Sequence, residues 1–600
     1  MEELQDAIED AQYMDAMVDP VPRPSRDWQW KTQPELENYI NKLKQEKPSA
    51  LDIEVMCQGS LGLYLFMKFC RLEGSKILAE FIIEVAHLRT RTSPNILPLI
   101  RKIISNYILD ESRGNLEYQP GLPSLVRVLT PPPETDPEKL KLNYSNLGKN
   151  ALNISGDAID RILHGFGAVK AVSNSFSSMA VHCKIFDELD AIVFNILKER
   201  HLEAFKASPD WNKYFQFLAM TTKKLNEDDD FMLLRMVGRG GFGQVNACKK
   251  ATTGKLYAMK MMSKKRIKLK KAEKMCLMER EIMTNINSPY VVCLKYSFST
   301  VNDLYLVLDL MIGGDLGFHL SKKVTFSVKE AKFYAARVLL GIAALHDRQI
   351  VYRDLKPENI LMDVEGYTKI SDLGLACKME PNGITGACGT RGYWAPDMLR
   401  KTSEGKRERY FLSVDWFSYG CVIYEFLVGT SPFRTEKAKQ FGYDLLKNSS
   451  EKPEKERAID LAILEMEPDF SMVQDEQAVD LMSKLLAKNP KERLGNLSYH
   501  EIIEHPWFSE VKFDTLNSDP PPMKPGRDIN MAPQSEIGYF SDAKEAKKVK
   551  LDEADQKLYA GWDFVSMPAY EEEIVEFLTY EEAHGPCVPM AGSEKCCTLS

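Results

Sequence analysis

The sequence predicts a multidomain α+β protein, and three observations carry that reading. Strand-like alternation over 231–262 marks a small β-rich lobe, and helical periodicity then dominates to about Phe508. A separate region, 48–215, is helical in pattern. The chain of 600 residues has room for about three to four domain equivalents. No apolar run reaches the roughly 18 residues of a spanning helix, so none is expected. The acidic N-terminus does not read as a secretory signal. Twelve cysteines without C-x-x-C pairs suit reduced thiols in a cytosolic protein better than a disulfide frame or zinc site. A net charge of −8 argues against nonspecific nucleic-acid binding.

Each element follows from local pattern. In residues 1–20, Leu4, Ala7, Ile8, Ala11 and Met14 form one helical stripe opposite Glu2, Glu9 and Asp10. Pro20, Pro22 and Pro24 end that helix. Such a stripe either buries itself on its own protein or folds on a partner. Ser60 to Cys70 opens a strongly apolar helix, and runs near 75–88, 95–108, 157–173 and 182–205 complete a bundle. Between them, about 120–157 is rich in proline (Pro123, Pro131, Pro132, Pro133, Pro137) and reads as a loop or insertion. Ser263 to Lys274 holds seven cations. A charge run is commonly a solvated face, but in an acidic chain it also suits an anionic membrane surface or a phosphate-bearing partner. Beyond Phe508, Asp519 to Pro525 is extended. Glu571 to Glu582 reads as a short helix carrying Ile574, Val575, Phe577 and Leu578. In the tail, 584–600, Cys597-Thr-Leu-Ser600 fits a prenylation box whose final Ser favours farnesyl. Cys596 offers a reversible palmitoyl site, and a second lipid matters because one anchors only marginally.

The chemistry-bearing residues lie between 238 and 374. Val351-Tyr-Arg-Asp-Leu-Lys-Pro-Glu-Asn359 supplies an acid, Asp354, a cation, Lys356, and a metal-ligand candidate, Asn359. Ser371-Asp-Leu-Gly374 adds a second ligand candidate, Asp372. Phosphoryl transfer needs these parts together: a carboxylate to orient a hydroxyl, and charge to hold Mg²⁺ and the γ-phosphate of ATP. Upstream, Gly238, Gly240 and Gly243, with Val245 closing the motif, read as a loop whose backbone amides approach phosphate. Lys260, in Tyr257-Ala-Met-Lys260, is the expected strand lysine for the α/β-phosphates, and Glu279 stands where its partner belongs.

These five motifs, in this order, resemble a eukaryotic protein kinase of the AGC group. Tyr352 stands where His is usual, and Leu373 replaces Phe, as is typical of G-protein-coupled receptor kinases. The resemblance implies a bilobal protein-kinase fold, 231–508, inserted in an all-α regulator-of-G-protein-signalling homology domain, 48–215, closed by a returning helix at 567–583. It implies an AGC C-terminal extension over 509–566 that wraps the small lobe and crosses the ATP site, with Leu551–Tyr559 at the crossing. It further implies ATP contacts at the hinge residues Asp309 and Met311 and at Asp315. The implied substrates are activated G-protein-coupled receptors, with Gα subunits as further partners. Leu4, Asp10, Tyr13, Ala16 and Met17 resemble the receptor-docking helix of the beta-adrenergic receptor kinases. Those kinases carry a pleckstrin-homology domain where this chain has its CaaX-like tail, so a lipid-anchored, peripheral membrane protein is expected. The competing expectations are an AGC kinase for soluble proteins and a G-protein-binding scaffold with little kinase activity.

Three departures bear on mechanism. Asp397 replaces the usual Glu, and one fewer methylene should weaken its pair with Arg493. Glu358 sits where basophilic AGC kinases read substrate arginine, unlike the beta-adrenergic subgroup. Gly386 occupies the position of the usual activating phosphothreonine, with Thr385 beside it, so lobe closure is expected to draw on the activated receptor instead.

Overall fold

The computed structural model describes Tyr13, 24–90, Ile103, 186–447, 455–513, 515–526 and 543–587. The docking helix apart from Tyr13, the proline-rich insertion, the runs at 95–108 (apart from Ile103) and 157–173, and the tail with Cys596 and Cys597 lie outside the described residues.

A helical layer comes first: α1 (Gln33–Glu46), α2 (Ser60–Leu72), α3 (Lys76–Thr90), α4 (Asp187–Lys206) and α5 (Pro209–Met220). The apolar spacing of α2 buries Leu61, Leu65, Phe66, Met67 and Cys70 on one face. Ser208 caps α5 by accepting from Trp211 N, and Pro209 sets the first turn. The return helix runs Met567–His584. It packs on α2 and buries Tyr570, Ile574, Phe577 and Leu578. At about 1.5–3 kcal/mol for each large apolar side chain, that burial holds the two ends of the chain together. The buried carboxylate of Glu571 accepts from Leu61 N at 3.2 Å and so caps α2 from the far end of the sequence.

The small lobe is a six-stranded antiparallel sheet in the order β1-β2-β3-β5-β4-β10. The strands are β1 (Phe231–Arg239), β2 (Gly243–Lys250), β3 (Leu256–Ser263), β4 (Leu294–Ser299), β5 (Asp303–Leu308) and, from the C-terminal extension, β10 (Phe564–Val565). Alternation along β3 decides what faces where. Tyr257 and Met259 join the helical layer in one apolar core. Lys260, one step out of phase, faces the opposite side of the sheet, where the nucleotide loop lies. After β3 come α6 (Lys264–Leu269) and α7 (Glu273–Thr284).

The large lobe is built on α8 (Leu316–Lys323), α9 (Val328–His346) and α10 (Ser413–Val428), with short pairs β6–β9 (Ile350–Val351, Cys377–Lys378) and β7–β8 (Ile360–Met362, Thr368–Ile370). Ser327 and Glu330 form a capping box at the start of α9. In α10, Ser413 through Tyr424 are all buried. Two short helices of the extension, α11 (Ala543–Lys548) and α12 (Glu553–Leu558), lie against α6 at the top of the small lobe. Among the described residues no helix is long and apolar enough to cross a membrane.

Candidate active site

Lys260 Nζ lies 2.6 Å from Glu279 Oε1, which joins β3 to α7. Burial disfavours the ammonium, but Glu279 and Asp372 outweigh it and hold the Lys260 pKa above the ordinary lysine value. The lysine therefore stays charged and aimed. Gly243 follows the turn of the nucleotide loop because a Cβ there would lie 1.6 Å from Met261 O. No other residue leaves the loop so close to β3.

The catalytic loop is a closed set of polar contacts. Asp354 Oδ2 accepts from Asn359 Nδ2 at 2.9 Å, and Asp354 Oδ1 accepts from Thr390 Oγ1 at 2.8 Å. Lys356 Nζ donates to Thr390 Oγ1 at 2.9 Å and stands 3.6 Å from Asp354 Oδ2. Thr390 thus fixes the rotamers of both acid and cation. Beneath them Asp415, fully buried in α10, accepts from the backbone N–H groups of Tyr352 and Arg353, each at 2.8 Å. His346 Nε2 lies 2.8 Å from the same carboxylate. These bonds hold Arg353 at φ 71°, a strained region for a side chain of its size. Tyr352, in the place of His, donates to Ser371 O at 2.5 Å and so ties the loop to the Asp372 turn.

Asp372 also adopts the left-handed conformation, φ 51°, and Leu373 behind it is buried. Asp372 is exposed and accepts a long bond from Gly374 N, 3.4 Å. Asn359 commits its amide N–H group to Asp354, which leaves its oxygen for a cation. Hard oxygen donors from these two residues, with room for phosphate oxygens and water, suit Mg²⁺.

At the hinge, the Asp309 carboxylate is committed to neighbouring groups. It accepts from Lys369 Nζ at 2.7 Å and Cys293 N at 2.9 Å and pairs with Lys295 at 3.0 Å. Burial favours the neutral acid, yet the two lysines hold its pKa below the usual carboxylate range. The adenine contact expected of Asp309 and Met311 would therefore run through the hinge backbone. Asp315 caps α8, accepting from Phe318 N at 2.8 Å, and burial pushes its pKa up. The extension passes this hinge at Pro525, beside Gly313. The segment 551–559 lies elsewhere. It sits on top of the small lobe, where Lys268 pairs with Asp555 at 2.6 Å and Lys264 donates to Gln556 at 2.8 Å.

Asp397 reaches Arg493 at 2.6 Å, both buried, so the shorter side chain keeps the pair. Arg353 donates to Leu375 O at 2.8 Å and is faced by the Tyr410 hydroxyl, which itself donates to Gly386 O at 2.7 Å.

Thr390, Asp415 and Tyr410 escaped the sequence reading. A signal existed for Asp415, one of only two acids, with Glu425, in the apolar run Ser413–Val428. Thr390 and Tyr410 have no local signature.

Two lobes, a glycine loop, a lysine–glutamate pair and an aspartate–asparagine–aspartate set define a protein kinase, and the protein kinase domain family model matches residues 231–508. The chain is 31% identical to mouse beta-adrenergic receptor kinase 1 over 598 residues, 96% of this chain and 76% of that protein. It is 38% identical to Caenorhabditis elegans G protein-coupled receptor kinase 2 over 396 residues, 64% of this chain, and the match spans about half of the worm protein, 53%. It is 35% identical to rhodopsin kinase GRK7 of Ictidomys tridecemlineatus over 412 residues, 68% of this chain and 71% of that one. The chain belongs to the G-protein-coupled receptor kinase family.

Proposed function

We propose that this protein is a serine/threonine kinase that transfers the γ-phosphate of ATP to activated G-protein-coupled receptors and thereby promotes their desensitisation. The observation that carries the reading is the convergence of Lys260–Glu279, Asp354, Asn359 and Asp372 in a chain aligned over nearly its whole length with a receptor kinase. In this mechanism Asp354 orients the substrate hydroxyl and accepts its proton as the oxygen attacks the γ-phosphorus and ADP leaves. Lys356 offsets charge on the γ-phosphate, and Lys260, held by Glu279, grips the α/β-phosphates. Gly238, Gly240, Gly243 and Val245 cover the nucleotide. Asn359 and Asp372 would hold Mg²⁺, which when bound would supply charge neutralisation for the transferred group.

The helices of 48–215 and the return helix are read as one regulator-of-G-protein-signalling homology domain interrupted by the kinase. The packing of Met567–His584 on α2 supports this reading, as does the Glu571 cap. Gα subunits are its proposed partners. Farnesyl at Cys597, with palmitoyl at Cys596, is the proposed membrane anchor.

The test is phosphate incorporation by one purified preparation into membranes bearing active or inactive receptor and into a soluble peptide. Phosphorylation of active receptor well above inactive receptor is expected, together with stimulation of peptide turnover by active receptor. Equal use of both receptor states would instead support a kinase for soluble targets.

A further inference from the structure

Two of the free cysteines among the described residues, Cys377 and Cys388, line one cavity of about 360 Å³. The cavity lies between α7, which supplies Lys274, Met275 and Met278, and the segments 374–377 and 385–388. Arg353 forms part of its wall. Both cysteines are half-buried rather than sealed in the core. Cys377 pairs with Val351 in the β6–β9 ladder. Cys388 precedes Gly389, where an added Cβ would lie 2.3 Å from Arg353 O. The backbone thus brings the two cysteines against the two ends of the short stretch Val351–Arg353.

A partly exposed thiol beside a guanidinium has a chemistry that a sealed cysteine lacks. Both thiols face Arg353, Cys388 more strongly, and they face each other. Burial pushes both pKa values up, Arg353 opposes that rise, and Asp415 adds to it. The thiols therefore rest protonated, and the thiolate that attacks an oxidant is a minor species. Cys57 and Cys70, in the helical layer, also face each other, but there no cation opposes burial. The position of Cys388 gives the pair a route to catalysis. Two residues further on, the Thr390 hydroxyl donates to Asp354 at 2.8 Å and accepts from Lys356 at 2.9 Å.

We propose that Cys377 and Cys388 are a redox switch on the catalytic loop, joined by hydrogen peroxide into a disulfide that draws Thr390 away from Asp354. In the first step the Cys388 thiolate attacks one peroxide oxygen. The O–O bond breaks, and the departing hydroxide takes up the proton the thiol lost, giving water. The sulfenic acid left on Cys388 is then attacked by the Cys377 sulfur. Its S–O bond breaks, and the hydroxyl leaves with the Cys377 proton as a second water. The two sulfurs together lose two electrons, and one peroxide is reduced to two waters. Small thiols such as glutathione reverse the bond by exchange, as suits a transient disulfide in a reducing compartment. Because Thr390 positions both acid and cation, its displacement lowers turnover, while Lys260 and Glu279 keep their hold on ATP. The switch does not depend on which protein is phosphorylated.

The test treats reduced full-length protein with hydrogen peroxide and reads both its tryptic peptides and its kinetics on a soluble peptide. Trypsin cuts after Lys378, so Cys377 and Cys388 leave on separate fragments unless they are joined. Fragments linked through Cys377 and Cys388 are expected, and none linked through Cys57 and Cys70. Under peroxide kcat should fall about tenfold, with KM for ATP changed less than about twofold, and dithiothreitol should restore it. Cys377→Ser and Cys388→Ser should each match reduced wild type and keep most of their kcat under peroxide. No linked fragment, a linked fragment with unchanged kcat, or serine variants as sensitive to peroxide as wild type would each overturn the proposal. Reduced enzyme inactive on peptide and receptor alike would contradict the function above, and the fragment map would still decide the disulfide.

Discussion

The catalytic loop and the roof of the small lobe are both held by short polar contacts, but at very different reach. Asp354, Lys356, Asn359 and Thr390 lie within 36 positions of one another. The small lobe is instead held by residues about 300 positions away. Glu573, on the return helix, is 1% exposed. It accepts from Thr253 Oγ1 at 2.5 Å, Tyr257 OH at 2.6 Å and Tyr296 OH at 2.5 Å. The ammonium of Lys250 lies over the Phe231 and Tyr296 rings beside it. Tyr257 is three residues before Lys260 on β3, so the helical layer holds the strand that presents the ATP lysine. The chemistry is local, and its alignment is imposed from outside the kinase domain.

Breaking the local set should give the largest effect. Asp372→Asn is expected to abolish turnover by removing a metal ligand. Asp354→Asn should lower kcat about 10²–10⁴-fold with ATP affinity kept. Steady-state kinetics on a protein substrate checks both, and near-normal kcat in either variant would remove that residue from its role. Thr390→Ala should cost about tenfold in kcat, because acid and cation lose their shared hydroxyl. An unchanged kcat would show that Asn359 alone suffices to fix Asp354.

Membrane attachment sharpens the comparison at the chain's end. Cys597→Ser is expected to shift the protein from the membrane to the soluble fraction of a prenylation-competent cell. Mass spectrometry of the wild-type tail checks the premise, and an unmodified Cys597 would refute it.

The smallest effect concerns Glu425. Burial lifts its pKa to about 7, while the Tyr393 hydroxyl donates to it at 2.6 Å. A carboxyl whose folded pKa exceeds its unfolded one binds more protons when folded. Its stability contribution is present below the unfolded value, about 4.3, and is lost as pH rises through about 7. Glu425→Gln should therefore melt a few degrees above wild type at pH 8, with the gap closing at pH 5. Thermal unfolding at the two pH values decides it, and a constant gap would contradict the assignment.

The same contrast in reach explains what the sequence disclosed. The 231–508 boundaries and the Lys260, Asp354, Asn359 and Asp372 set were legible because each motif carries its chemistry within a few residues. The Asp309 side-chain pairing was not legible because its partners, Lys295 and Lys369, lie on other strands. The seven-cation run looked like a uniform surface, yet Lys264 and Lys268 are consumed by Gln556 and Asp555. Glu573 hid within Glu571-Glu572-Glu573, although helical spacing places it on the face of Tyr570, Ile574 and Phe577. An acid on an apolar stripe was the available signal.

Glu573 offers the most direct test of the account, through kcat and the KM for ATP on a soluble peptide, measured alongside thermal unfolding. Glu573→Ala leaves three buried hydroxyls without their acceptor, at about 1–3 kcal/mol each. A severalfold rise in KM for ATP and a lower melting temperature are expected, with Glu573→Gln milder because its amide oxygen can still accept from the tyrosines. Wild-type KM and melting temperature in Glu573→Ala would contradict the claim that the helical layer aligns the ATP lysine.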